Sequence, residues 1–496
     1  MAAVADAVRR AAATTPPGAW IRGKGWNEEL FAEGRVPSRT DLDAAAPDHP
    51  VVLLDWSNHQ AWVNSKALEV TGITASTPVP AGGVVVLDAS GQPSGVFHET
   101  AMALVNDQVP AFTRAEQQAA IEDAAAVLLQ FGITSVTEPG IGEVPRSIYE
   151  ELARAGDLPL RVTALLSRPD DTYPVSAAHV REILDGYEAA DGVDPRSFSM
   201  RGVKLRADGV PIGSRTAWMR EAYVGGGRGS LVTVGEDDAA KVAELTEMVR
   251  LVHDAGWQIG THATGDAAVD AVAAAYAAAY AAYAAAHRRR RGRDQRHYVI
   301  HGDFARPEAL ALLARLGCAV NFNPAIRRLI ADTQPAVVGA ERAAYESPMA
   351  TALRAGVVVT AASDSPNVSP DWRIGVQAAM TRQGTSGAVT GAEEAIGFED
   401  ALRAFTTAGA WQDHAERWKG SLETGKVGDV CVLGERILDD EGGLRVPAEE
   451  FSTVPIALTL LGGRVVHDAD DSARATAAAP ASFVASPSPD AMCSHC

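Results

Sequence analysis

Residues 257–323 read WQIGTHATGDAAVDAVAAAYAAAYAAYAAAHRRRRGRDQRHYVIHGDFARPEALALLARLGCAVNFN. Three short β-rich runs, at 257–263, 297–301 and 318–323, alternate here with two helical segments. Strands that alternate with helices pair in parallel through right-handed crossovers, because each helix returns the chain to the same end of the sheet. The stretch therefore predicts an α/β fold.

The same rhythm continues on both sides of this stretch. Further β-rich runs near residues 133, 160, 202 and 357 bring the number of predicted strands to seven. Seven strands can form an open, doubly wound sheet, whereas a closed TIM-type (β/α)8 barrel needs eight. We favour the barrel, with its first strand missing before residue 1.

Two regions lie outside this rhythm. Residues 36–112 contain VVLLDW, GGVVVLD and the turn ASGQPSG, which predict a β-rich antiparallel insertion. Residues 417–467 contain β-like segments typical of a small side sandwich. We divide the chain into an N-terminal segment leading into the barrel (1–35), the insertion (36–112), the barrel (113–416), the C-terminal part of a β-sandwich (417–467) and a low-complexity, disordered tail (468–496).

Composition excludes several classes of protein. The 496 residues are 47% hydrophobic and 22% charged, which is enough apolar sequence for a sizeable core. A net charge of −19 opposes nucleic-acid binding, since phosphate neutralisation needs a surplus of Lys and Arg. Residues 1–20 contain no apolar h-region, and the sequence shows no uninterrupted apolar run long enough to span a bilayer and no disulfide framework. We expect a soluble, cytoplasmic protein whose partner is a small-molecule substrate, and a homo-oligomer stays open.

Polar residues stand at the carboxyl ends of four predicted strands: Lys204, His262, His301 and Asp364. A barrel builds its active site at this rim. Two imidazoles and a carboxylate suit Zn²⁺ or a similar divalent ion, whereas a lysine becomes a ligand only when deprotonated or converted by CO2 to a carbamate. Each residue alone also has a structural explanation, such as a turn at Asp364. The four in barrel order favour a shared site for one or two metal ions.

Three further residues are weaker candidates for contact with the substrate or with the metal ligands: His59, His297 and Asp208. His297 shares a strand face with His301 because their spacing is even. His59 belongs to the insertion, where a lid over the site and a local structural role are equally compatible with the sequence.

Eight segments resemble the amidohydrolase superfamily, in the amidohydrolase family 3 branch that includes N-substituted formamide deformylases. They run in family order over nearly the whole chain: PPGAWIRGKGWNEE (16–29), NHQAWVNSKAL (58–68), PAGGVVVLDASGQPSGVFHE (80–99), VKLRADGVPIGSRTAWM (203–219), IGTHATGDAAVD (259–270), RHYVIH (296–301), AASDSPNVSP (361–370) and GSLETGKVGDVCVL (420–433).

The resemblance implies a TIM-type (β/α)8 barrel of the metal-dependent hydrolase kind with a metal centre. In that centre Lys204 matches the lysine that can be carboxylated, His262 and His301 match ligands of the fifth and sixth strands, and Asp364 matches the aspartate of the eighth. It also implies a first strand that ends in His-x-His. The twelve histidines of this chain include no such pair. A start codon placed too late, a true truncation and a pseudoenzyme are the three explanations, and we favour the first because the four downstream residues are intact.

We therefore expect a metal-dependent amidohydrolase that cleaves a C–N bond, in an amide or formamide-like group, by metal-activated water with Asp364 as the proton shuttle. The alternative is a truncated, non-catalytic fragment or pseudoenzyme on the same scaffold. An isomerase or decarboxylase would share the metal site and differ only in its product.

Overall fold

The computed structural model describes residues 1–26, 31–55, 60–80, 83–167, 175–187, 191–212, 215–286 and 294–470. The chain forms two compact units, one of them covering Met1–Thr113 and the other beginning at Arg114.

The first unit is built on a five-stranded sheet in the order β1-β2-β3-β5-β4, in which β1 is parallel to β2 and the other pairs are antiparallel. Its strands are β1 (Ile21–Trp26), β2 (Val51–Asp55), β3 (Gln60–Val63), β4 (Val84–Leu87) and β5 (Pro93–His98). Its helices are α1 (Ala2–Ala12), α2 (Thr40–Asp43), α3 (Ser65–Thr71) and α4 (Ala103–Asn106). The ring of Trp62 packs edge to face against Trp26 and Phe31, and the rings of Trp26 and Phe31 are stacked on each other.

The first unit includes more of the chain than the predicted insertion at 36–112. Strand β1 and helix α1 belong to it, so residues 1–26 are part of this unit and not a separate N-terminal segment that leads into the barrel. The sequence of β1, IRGKGW, concealed the strand because four of its six residues are glycine or charged.

The second unit contains all seven predicted parallel strands, which pair in chain order from β6 to β12. They are β6 (Ser135–Ile141), β7 (Arg161–Leu166), β8 (Phe198–Arg206), β9 (Gln258–Ala263), β10 (Tyr298–His301), β11 (Ala319–Phe322) and β12 (Val358–Ala361). Sequential parallel pairing is the topology of a TIM-type barrel wall. Within the described part of the chain the wall has seven strands, with β6 and β12 at its edges.

Helices alternate with these strands, and several of them pack against one face of the sheet. They are α5 (Arg114–Gln130), α6 (Glu143–Ala155), α7 (Ala177–Gly186), α8 (Asp238–Ala255), α9 (Asp266–Ala286), α10 (Pro307–Arg315), α11 (Pro324–Ile330), α12 (Gln334–Val338), α13 (Ala340–Tyr345), α14 (Met349–Ala355), α15 (Trp372–Thr381), α16 (Phe398–Phe405) and α17 (Thr407–Gln412). Apolar residues of the helices and of one strand face, including Val203, Leu205 and Val299, form the largest buried cluster.

Helix α9 is the one helix in the described residues that is long and apolar enough, by length and composition, to cross a membrane. Its Val269, Val272 and Tyr276 are nevertheless fully buried in the same cluster as residues of α8 and β9. The apolar composition of α9 is thus explained by packing against the barrel wall.

A three-stranded antiparallel sheet follows the barrel, made of β13 (Val430–Leu433), β14 (Ile456–Leu461) and β15 (Arg464–Asp468). It packs against the end of α5: Thr459 Oγ1 donates to the carbonyl oxygen of Leu129, and a Cβ atom at Gly132 would lie 2.2 Å from Cys431 Sγ. Gly132 also has a φ of 73°, so a glycine is required there. The second layer of the sandwich stays a prediction, and the tail beyond residue 470 lies outside the described residues.

The last residue of α17 and the residues that follow it form hydrogen bonds to β9 and to the two edge strands of the barrel wall, β6 and β12. The carboxylate of Asp413 accepts hydrogen bonds from Thr137 Oγ1 on β6 and from Lys419 Nζ, both at 2.7 Å. The Gln412 carbonyl oxygen accepts from Gln258 Nε2 on β9, and its side-chain oxygen accepts from Thr360 Oγ1 on β12, both at 2.8 Å. These bonds hold β6, β9 and β12 in one arrangement beneath the carboxyl rim.

The buried ion pair in this segment gives a stability prediction. The side chains of Lys419 and Asp413 are only 8% and 5% exposed, so Lys419→Met leaves a buried carboxylate without its cation. We expect a loss of about 3–5 kcal/mol in urea unfolding. The double variant Lys419→Met/Asp413→Leu should recover part of that loss, and a single variant as stable as the wild type would contradict the assignment.

Candidate metal centre

The parallel register brings the carboxyl ends of β8, β9 and β10 to one rim. Arg206 lies opposite His262, and His262 lies opposite Ile300, so these side chains project from the same face of the sheet. The imidazole rings of His262 and His301 are in contact, edge to face, with their centroids 4.6 Å apart. Two of the four predicted ligands therefore meet directly.

His262 is buried, and its protonation state is fixed by its surroundings. Burial, then the neighbouring His301 and Arg206, lower its pKa well below the usual value, so the ring is neutral. Its Nε2 lies 3.0 Å from the carbonyl oxygen of Gly209. A carbonyl oxygen only accepts, so Nε2 carries the proton and Nδ1 keeps the electron pair that a metal ion requires.

Asp208 anchors the loop beside His262. Its buried carboxylate accepts backbone N–H groups of Trp218, Thr264 and Gly265 at 2.8–3.0 Å. Burial raises the pKa of Asp208 to about 7, although the three N–H donors act in the opposite direction. Its Oδ1 lies 3.9 Å from His262 Nε2, so the structure places this candidate next to the imidazole, as a support for the loop that carries Gly209.

His301 ends β10 with a φ of 75°, in the left-handed region that a non-glycine residue seldom adopts. Strand alternation would turn its side chain with Val299 towards the helices, and the change of backbone direction brings the ring to His262 instead. Burial lowers the pKa of His301, and the negative charge of Asp364 partly offsets this. Its Nδ1 lies 2.7 Å from Asn323 Oδ1.

Lys204 and Asp364 lie in the same neighbourhood. The charge of Asp364 raises the pKa of His301, and the charge of Lys204 lowers it by less. Asp364 likewise raises, and Lys204 lowers, the pKa of the Glu138 carboxyl on β6. A Cβ atom at Gly140 would lie 3.8 Å from Lys204 Cγ, which sets Lys204 against the carboxyl end of β6. Asp364 has a φ of 62°, and its Oδ2 accepts from Asn367 Nδ2 at 2.8 Å.

The donor chemistry of this rim fits a divalent metal ion. Two neutral imidazoles and a carboxylate are the nitrogen and oxygen donors that zinc prefers. Within the described ranges, however, no three His, Cys, Asp or Glu side chains are close enough to hold one ion between them. Each of the three side chains is hydrogen-bonded to a protein group: His262 through Nε2 to Gly209, His301 through Nδ1 to Asn323 and Asp364 through Oδ2 to Asn367.

Sequence reasoning missed several groups at this rim. Glu138 is half-buried, and burial raises its pKa, with Lys204 opposing and Asp364 adding to the shift. Asp303 has its pKa raised well above the usual value by burial, then by Glu346, Asp208 and Asp364. The position of Glu138 at the end of a predicted strand was a usable signal, whereas the packing around Asp303 leaves no trace in the sequence.

The structure places His297 elsewhere, which corrects the expectation that it contacts the site. It precedes β10, four residues or about 13 Å of extended chain from His301. Its Nε2 lies 2.8 Å from His253 Nδ1, and its Nδ1 accepts the Ile259 N–H at 3.1 Å. Even spacing assigned His297 to the face of His301, but His297 faces helix α8, whereas His301 turns its ring to His262. His59 lies outside the described residues.

A parallel, sequentially paired sheet with convergent polar residues at its carboxyl ends defines a TIM-type α/β enzyme scaffold. The chain belongs to the amidohydrolase family, which it matches over residues 1–467.

Individual relatives support this assignment. The chain is 26% identical over 465 residues to YtcJ of Bacillus subtilis (strain 168), which carries the name of an amidohydrolase, with 91% of this chain and 80% of the relative covered. It is 26% identical over 445 residues to the N-substituted formamide deformylase of Arthrobacter pascens, with 88% and 78% covered.

Solved structures agree in fold. An uncharacterized metal-dependent hydrolase from Pyrococcus horikoshii superposes with a TM-score of 0.65 at 23% identity, covering 85% of this chain and 77% of that one. An uncharacterized metal-dependent hydrolase from Pyrococcus furiosus gives 0.63 at 25% identity, covering 86% and 78%.

The buried His253–His297 pair gives a pH prediction. Burial, then His253, lower the pKa of His297 well below its usual value, so the folded chain keeps the ring neutral while the unfolded chain takes up a proton near pH 6.5. Stability is therefore complete above about pH 6.5 and is lost as the pH falls below it.

His297→Asn tests this, since the amide oxygen can still accept the Ile259 N–H. Between about pH 7.5 and about pH 5.5 we expect the wild type to lose about 1 kcal/mol more unfolding free energy than the variant. Equal losses, measured by urea titration, would show that His297 is not held neutral.

Proposed function

We propose that this chain is a metal-dependent amidohydrolase that hydrolyses a C–N bond in an amide or formamide-like group of a small molecule. The single observation that carries the proposal is the contact between two neutral imidazoles, His262 and His301, at the carboxyl rim of an amidohydrolase-family barrel. The similarity to an N-substituted formamide deformylase supports a formamide-like group as the first substrate class to test.

His262 Nδ1, His301 Nε2 and the Asp364 carboxylate are the donors that would hold a divalent ion, with zinc the best match to a nitrogen and oxygen set. Lys204 would join them as the free amine or as a carbamate. A bound ion would polarise the substrate carbonyl and lower the pKa of a water molecule.

The residues of the chain have separate tasks in this reaction. The Asp364 carboxylate accepts a proton from the attacking water and delivers it to the leaving nitrogen, which departs as a neutral amine. Before a metal ion is bound, Arg206 and Lys204 hold positive charge beside the imidazoles, and both disfavour a protonated His262. This keeps the ring nitrogens available as donors rather than as imidazolium.

A second candidate function is a non-catalytic scaffold of the same fold. The observation that favours it is the lack, in the described residues, of three grouped His, Cys, Asp or Glu donors. Such a chain would bind metal weakly, or not at all, and would turn nothing over.

The test is metal content and turnover measured on the same protein. We expect chelator-treated protein to take up zinc, and to release formate from a panel of N-substituted formamides only when zinc is restored. His301→Ala should lose zinc. His414→Ala is the control and should retain zinc, because the His414 side chain contacts the Gln295 carbonyl oxygen, near the buried His253–His297 pair.

Asp364→Asn separates catalysis from binding. With an amide in place of the carboxylate we expect turnover to fall by about 10²–10⁴-fold, the usual contribution of general acid–base catalysis. Near-wild-type turnover in this variant would refute the proton-transfer role. Zinc uptake without turnover on amides or formamides would favour the scaffold, and no zinc uptake would refute the metal centre.

A further inference from the structure

Two residues of the candidate metal centre have left-handed backbone conformations. His301 has a φ of 75° and Asp364 a φ of 62°. Such a conformation of a non-glycine residue is strained and persists only where the surroundings impose it. The surroundings that His301 and the segment before Asp364 have in common include one buried side chain, Asn323, which follows β11.

The hydrogen bonds of Asn323 have only one consistent direction. The carbonyl oxygen of Ala362, two residues before Asp364, lies 3.1 Å from Asn323 Nδ2 and can only accept. The amide nitrogen therefore faces Ala362, and the amide oxygen Oδ1 faces His301 Nδ1 at 2.7 Å. Since Oδ1 can only accept, His301 Nδ1 must carry the proton, and Nε2 is left with the electron pair.

We propose that Asn323 is the positioning residue of the site: it fixes His301 as the Nδ1–H tautomer and ties it to the segment that presents Asp364. The claim that His301 Nε2 is left free for a metal ion rests on the proposed function, whereas the claim that Asn323 fixes the tautomer does not. An imidazole ligand usually donates its second N–H to a carbonyl or carboxylate oxygen, and loss of that partner typically weakens metal binding 10–100-fold.

The chain offers a matched control two residues away. Asn321 is also buried and also bridges β11 to β12, since its Nδ2 donates to Thr360 Oγ1 at 3.0 Å. The partner of the Asn321 amide nitrogen is thus a threonine, not a histidine. Substitution of either asparagine by alanine should cost similar stability, and only the change at Asn323 should reach His301.

The primary readout is the ¹⁵N NMR spectrum of the metal-free, histidine-labelled chain, with the His301 signals assigned by their loss in His301→Gln. Wild type and Asn321→Ala should show His301 as the Nδ1–H tautomer. Asn323→Ala should show a shift towards Nε2–H, while Asn323→Asp, which keeps an acceptor oxygen, should retain Nδ1–H.

The second readout is zinc affinity by competition with a chelating dye. We expect a fall of about 10–100-fold in Asn323→Ala and little change in Asn321→Ala. An unchanged Nδ1–H tautomer in Asn323→Ala would overturn the inference. If the wild type takes up no zinc, the proposed function fails, and the NMR comparison still decides the role of Asn323.

Discussion

The parallel register of β8, β9 and β10 is the constraint on which the candidate site depends. It sets Arg206, His262 and Ile300 side by side on one face of the sheet, with Lys204 two residues before Arg206 on the same face. A slip of one residue in this register would turn His262 towards the helices. The site is thus a consequence of strand pairing, and the loops only complete it.

Desolvation then determines the chemistry of the imidazoles. Buried beside Lys204 and Arg206, both rings have lowered pKa values and stay neutral, which is the form that binds metal. The hydrogen bonds to Gly209 and Asn323 select opposite ring nitrogens in the two histidines. Without such partners the buried rings would lose a fixed orientation, and the folded chain would lose part of its stability.

Much of this arrangement could be predicted from the sequence. Strand periodicity located all seven parallel strands. The position of active sites at the carboxyl ends of barrel strands selected Lys204, His262, His301 and Asp364. The same rule places His262 and His301 at one rim, but it does not predict that their rings are in contact. The sequence could not show that His301 leaves strand geometry at a φ of 75°.

The errors and omissions share a physical cause. His297 was assigned to the site because of its even spacing from His301, and spacing shows neither that the two residues lie at opposite ends of the strand nor that His301 turns its ring to the other face. Glu138 and Asn323 matter because of partners distant in the chain, and hydrogen bonds of that kind leave no local pattern. Strand β1 was missed because glycine and charged residues replace the apolar alternation that usually marks a strand.

The most direct test of the account is anomalous X-ray diffraction from crystals of the chain soaked in a zinc salt, with data on both sides of the zinc absorption edge. The account predicts an anomalous peak about 2.0–2.2 Å from His262 Nδ1 and His301 Nε2, beside the Asp364 carboxylate. A crystal that binds zinc elsewhere, or one in which these two nitrogens remain without metal at saturating zinc, would contradict it.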